Sequence, residues 1–171
     1  MTTKAKTTPQ SSTKEKFALT VKAWPVVTLC TLALCFLTQQ TAKLFGVELP
    51  DQANLEAVLK VAGWNWRFAF LALQITVILP AIEEVIFRLP LKLFARSSLR
   101  AAVVFAAILS ALFSAAHYIF QPFPDSAFIA LFFFGMAQSW IYRQTGSIFC
   151  AMLNHALFNL TNLVLLLTIG V

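Results

Sequence analysis

The chain has 171 residues, of which 59% are hydrophobic and only 12% charged, with a net charge of +6 and a mean hydropathy of +0.77. A soluble globular domain carries about 25% charged residues, so this composition excludes that class and leaves no solvated basic face for nucleic acid. The length suits one domain, and the composition makes it a membrane domain.

The basic residues gather at the ends of apolar runs: Lys4, Lys6, Lys14, Lys16 and Lys22, then Arg88, Lys92, Arg96 and Arg100, then Arg143. That pattern fits loops held at the cytoplasmic face and predicts a multi-pass cell-membrane protein with its N-terminus in the cytoplasm. Cys30, Cys35 and Cys150 lie within apolar segments. Their odd number and irregular spacing argue against a disulfide framework.

In chain order, residues 1–20 are rich in Thr, Ser and Lys and predict a disordered basic tail, leaving 21–171 as the transmembrane domain. Residues 23–42 are apolar enough to span. Residues 44–62 carry Glu48, Pro50, Asp51 and Glu56 and predict an extramembrane loop with a short amphipathic helix. Trp64 and Trp66 mark an interface. From Phe68 to Phe94 the chain is apolar but carries Pro80 and Pro90, which predicts a kinked or broken helix.

Residues 101–118 form the next span. Ala102, Ala106, Ser110 and Ser114 recur every fourth residue, a small-residue stripe that admits a close neighbour and places this helix centrally. Residues 126–142 span again, Thr145-Gly146 turn the chain, and 147–170 make the last span. The expected fold is all-α: a polytopic transmembrane bundle of about five spanning helices around a polar intramembrane cavity.

Three places break the apolar pattern. Ionisable residues within a membrane are costly and usually face a bundle interior or a cavity. In the first place, Glu84 and Arg88 are four residues apart with the acid N-terminal, the better orientation for a helical ion pair. That pair leaves Glu83 turned about 100° away, an unpaired carboxylate of the kind that exchanges protons. The second place is Phe113-x-x-x-His117, which shares a face with Ser110 and Ser114. The third is His155-x-x-x-Asn159, followed by Asn162. Taken singly, His117 reads equally well as interfacial, and the Asn stripe as interhelical hydrogen bonding.

Depth connects them. At ~1.5 Å per residue, Glu83 lies ~20 Å from the level of Arg96, His117 ~26 Å from that of Arg100, and His155 and Asn159 ~14 and ~20 Å from that of Gly146. The hydrocarbon core is ~30 Å thick, so the depths overlap. Such a group suits hydrolysis. Glu83 is the candidate base for water, with His117 sharing the proton. Asn159 and His155 are donors for an oxyanion. A zinc site of Glu83, His117 and His155 is the rival, although no H-E-x-x-H is present and the two His lie on different helices. Ser110 and Ser114 lack a nucleophile-type context. A proton-coupled transporter would also carry Glu and His at mid-membrane, but the chain lacks repeat symmetry.

The three motifs in this order, Glu83-Glu84-x-x-x-Arg88, Phe113-x-x-x-His117 and His155-x-x-x-Asn159, resemble those of the CPBP family. That family comprises type II CAAX prenyl endopeptidases, bacteriocin-processing proteins and abortive-infection proteins. The approach from Phe134-Gly135 through Tyr142 and Thr145-Gly146-Ser147 is similar too, so the resemblance covers about 66–165. It implies an intramembrane endopeptidase acting on membrane-associated proteins or peptides, prenylated or CAAX-like ones among them. It implies Glu83 and His117 as activators of water, His155 and Asn159 as oxyanion donors, and Glu84 and Arg88 as supporting residues. Both a metal-free and a zinc mechanism are consistent with it, with the metal-free one favoured. The residue after Arg88 is Leu89, where the family often has Gly. The family also admits a non-catalytic immunity or scaffold protein on the same fold. Membrane lipid and a membrane-associated substrate are the expected partners, and nothing in the sequence sets the oligomeric state.

Overall fold

The computed structural model describes residues 12–50, 58–63, 65–94, 98–119 and 125–169. Its long elements are all helical: α1 (Thr13–Leu44), α2 (Trp66–Leu73), a π-helical turn (Gln74–Ile78), α3 (Leu79–Arg88), a 3-10 segment (Leu89–Phe94), α4 (Leu99–Ala116), α5 (Ala127–Thr145) and α6 (Ile148–Ile169).

The start of α1 corrects the expected boundary at residue 21. Ser12 and Glu15 close a capping box: Glu15 N–H donates to Ser12 Oγ at 3.3 Å, and Ser12 N–H to Glu15 Oε2 at 2.7 Å. Two otherwise orphaned donors are satisfied, and the helix begins at Thr13 despite its polar composition. Its buried residues, Thr20, Val27, Thr28 and Thr31, form one stripe towards the bundle. Val26, Leu29, Phe36 and Leu37 are exposed, as befits side chains that face lipid. The helix ends where Gly46 takes φ +68°.

The predicted break near Pro80 and Pro90 takes the form of two changes of helical register. Asn65 caps α2 by accepting from Phe68 N–H at 2.9 Å. The π turn then widens the helix, and from Leu89 the chain tightens to 3-10. Residues 58–61 are helical, while Trp64, Arg96, Pro122, Pro124 and 51–57, which figured in the sequence reading, lie outside the described residues.

Among the described residues, four helices are long and apolar enough to cross a membrane: Thr13–Leu44, Trp66–Leu93, Leu99–Ala116 and Ile148–Thr168. The fifth long helix, α5, has the length, but Gln138, Ser139, Tyr142, Arg143 and Gln144 make it less apolar. It also takes the central place that the small-residue stripe had suggested for α4. It packs against α1, α4 and α6, and Ala130, Phe134, Gln138 and Ile141 are completely buried. A helix covered by protein on most sides does not need an apolar surface for lipid.

The stripe itself performs as expected. Ala102, Ala106, Ser110 and Ser114 are all buried, and Gly135 of α5 lies directly over Ser110. A methyl at Gly135 would meet Ser110 Cβ at 2.9 Å, so the two backbones cross at a distance only glycine allows. The larger core cluster joins Val27, Phe113, Phe134, Ile141, Cys150 and Phe158. It also draws in Phe87, directly before Arg88.

Candidate active site

The centre of the polar group is a chain of charge-assisted contacts running from α3 to α6. Arg88 Nε donates to Glu84 Oε2 at 3.0 Å, one turn along α3, and both side chains are fully buried. The other Glu84 oxygen, Oε1, lies 2.9 Å from His155 Nδ1. On its far side, His155 Nε2 lies 3.5 Å from Glu83 Oε2. Neighbouring acids on one helix thus meet opposite nitrogens of one imidazole on another. Glu84 is inaccessible, whereas the Glu83 side chain keeps 26% of its exposure. The inner acid is structural in its surroundings and the outer one is reachable.

The rings around it are aromatic. Phe134 packs edge-on to His155 at 4.8 Å between centroids, and Phe113 lies 6.0 Å from His155 and 4.7 Å from His117. The Arg88 guanidinium lies over the Phe113 ring at 5.4 Å, a cation–π arrangement. Phe113 therefore packs beside three of the polar residues.

His117 is at the C-terminal end of α4, with Nδ1 2.9 Å from the Phe113 carbonyl oxygen. A carbonyl only accepts, so Nδ1 carries the proton and Nε2 holds a lone pair when the ring is neutral. Beyond it, Tyr118 donates its hydroxyl to Asp125, which also accepts from Ala127 N–H at 2.7 Å and so caps the start of α5. Burial, reinforced by that hydrogen bond, pushes the Tyr118 phenol above its ordinary pKa, and it remains a donor at neutral pH.

Asn159 stands one turn beyond His155 and donates from Nδ2 to the Ile75 carbonyl at 2.7 Å. The reason lies in the π turn. Leu79 N–H bonds back to the Gln74 carbonyl, five residues away. The next bond in that register would run from residue 80 to Ile75, but Pro80 has no N–H. Asn159 supplies the missing donor. Asn159→Ala should therefore leave a partly buried carbonyl without that donor and lower stability by about 0.5–1.5 kcal/mol. A thermal unfolding midpoint in detergent equal to wild type would show that the contact contributes nothing.

Of the residues singled out from the sequence, the structure brings Glu83, Glu84, Arg88 and His155 into one contact group, with His117 and Asn159 bonded instead to the Phe113 and Ile75 carbonyls; the sequence reading had grouped Glu83, His117, His155 and Asn159. It missed Asn154 and Gln138. Gln138 Nε2 donates to Asn154 Oδ1 at 3.0 Å, and Asn154 Nδ2 donates to the Thr20 carbonyl at 3.1 Å. This fully buried bridge ties α5, α6 and α1 together beside His155. The available signal was an amide in each of two apolar helices. Among the described residues no three His, Cys, Asp or Glu side chains converge as a metal ion would require. The trio Glu83, His117 and His155 is not such a group.

An apolar helix bundle around a buried Glu–His–Arg chain marks a multi-pass membrane protein with a polar intramembrane site. The model of the family described as Type II CAAX prenyl endopeptidase Rce1-like matches residues 65–161, and the chain belongs to that family. The match takes in every residue of the polar group and leaves α1 outside it. No curated protein and no solved structure matches the chain.

Proposed function

We propose that the chain hydrolyses peptide bonds of membrane-associated proteins, prenylated CAAX-like C-termini among them, with a water activated by Glu83 and His117. The observation that carries this reading is the Glu84–His155–Glu83 sequence of contacts, which holds one carboxylate rigid and leaves the other accessible beside a fixed imidazole. The N-terminus is assigned to the cytoplasm, from the placement of basic residues.

In the proposed reaction Glu83 takes a proton from water, and the hydroxide attacks the carbonyl carbon. The carbonyl π pair moves to oxygen. His155 stabilises the resulting oxyanion through an Nε2–H bond. Its Nδ1–H is anchored on Glu84. Asn159 has two amide hydrogens, and one is committed to Ile75, so the second is its contribution to the oxyanion. When the C–N bond breaks, Glu83 returns the proton to the leaving amine. His117, with Nε2 unprotonated in the neutral ring, shares the proton during the cycle.

The test is cleavage of a farnesylated C-terminal peptide by the purified chain in proteoliposomes, before and after exhaustive chelation. Turnover that survives chelation, without stoichiometric zinc in the protein, is the expected result. Loss of turnover that zinc alone restores would make His117 and His155 ligands and overturn the metal-free assignment. No cleavage of any membrane peptide by wild type would favour the non-catalytic scaffold.

A further inference from the structure

A cavity of ≈ 580 Å³ opens between the 3-10 segment, α4 and α5, and none of the four proposed catalytic residues lines it. Its volume falls in the ~300–1,000 Å³ range of small-molecule sites, room for part of a lipid such as one acyl chain. Its walls are graded. On α4 the lining runs from Leu99 at the helix start through Ala102 and Val103 to Ala106, and on α5 from Arg143 back through Trp140 to Met136. The helices run antiparallel, so Lys92, just ahead of α4, and Arg143, near the end of α5, line the same end of the cavity, and Ala106, Met136 and Ser139, whose hydroxyl donates to the Gly135 carbonyl, line the other. The crossing of Gly135 over Ser110, one turn beyond Ala106, closes the inner end.

We infer that this groove binds one anionic phospholipid, with an acyl chain along Val103, Ala106, Met136 and Trp140 and its phosphate between Lys92 and Arg143. Three observations select that occupant. Both basic residues are exposed, and no acidic side chain among the described residues lines the cavity. Leu99, Val103 and Trp140 are also exposed, so the groove opens sideways to the bilayer rather than to water. Charge at one end with a largely apolar wall leading from it is the polarity of a lipid in its own leaflet. Basic pockets between transmembrane helices at the cytoplasmic face recognise anionic head groups.

The test uses the full chain in phosphatidylcholine vesicles containing a minor fraction of lipid brominated on its acyl chains, which quenches nearby tryptophan. Subtracting a Trp140→Phe variant isolates the Trp140 signal. Brominated phosphatidylglycerol should quench Trp140 at a mole fraction on the order of tenfold lower than brominated phosphatidylcholine, given two cations near one phosphate. The preference should vanish in Lys92→Gln/Arg143→Gln, whose changes are at exposed positions, and should weaken in wild type as salt screens the mouth. Equal quenching by the two lipids would mean ordinary boundary lipid and would overturn the site. So would a preference that survives both the double variant and high salt, or an unquenched Trp140. Displacement of the brominated lipid by a farnesylated peptide would reassign the groove to substrate. None of these readouts depends on cleavage.

Discussion

Replacing Glu83 by Gln should abolish turnover, by about 10²–10⁴-fold for loss of a general base, while leaving the chain folded. The amide has the carboxylate's shape but no capacity to take the water's proton. Its surroundings predict that the fold tolerates it. Glu83 is partly exposed and makes one long contact, 3.5 Å to His155 Nε2, whereas the tight contacts of the region belong to Glu84. The measurement is the rate of peptide cleavage in proteoliposomes beside the thermal midpoint of the same preparation. Cleavage within a few-fold of wild type, at an unchanged midpoint, would remove Glu83 from the chemistry.

Arg88→Ala should do the opposite: destabilise first and inactivate as a consequence. Arg88 and Glu84 are both fully buried, and Arg88 offers Glu84 only its Nε. Its terminal nitrogens Nη1 and Nη2 find no hydrogen-bond partner among the described residues. The guanidinium is therefore held by one ion pair and the Phe113 ring. Removing it strands the Glu84 carboxylate with His155 alone, and breaking a buried pair on one side costs about 3–5 kcal/mol. Folded yield and thermal midpoint should fall well below those of Glu83→Ala. Equal midpoints in the two variants would contradict the weight assigned to the Glu84–Arg88 pair.

These two residues show what the sequence discloses. Glu84 and Arg88 announce themselves because an i,i+4 acid–base pair within an apolar run has one economical arrangement, and Glu83 follows as the acid left over. His155 was legible as a polar residue at the same depth, and it contacts both acids. The close crossing of α4 and α5 was half legible: the stripe on α4 was visible, but a lone Gly135 carries no periodicity to identify its partner. The start of α1 had a local signature in Ser12 and Glu15, masked by the polar composition around it. The Gln138–Asn154–Thr20 bridge was hidden for a different reason. It ends on a backbone carbonyl, which no side-chain pattern records. The centrality of α5 was obscured because hydropathy measures contact with lipid, and this helix mostly contacts protein.

The π turn at Gln74–Ile78 acts as an angular spacer. Ile75 packs against the Leu163–Leu166 cluster of α6, and Glu84 meets His155 of the same helix. Nine residues along an unbroken α-helix amount to ~900°, which would set those two side chains on opposite sides. The wider turn absorbs part of that angle, so a single helical run presents a greasy stretch and then an acidic stretch to one neighbour. Winding the same residues as ordinary α-helix, with none removed, would undo that and rotate everything after the turn by the absorbed angle. Glu83 and Glu84 would swing away from His155 towards the lipid with their sequence motif intact. Spacing upstream of a motif, as much as the motif, decides whether its carboxylates arrive.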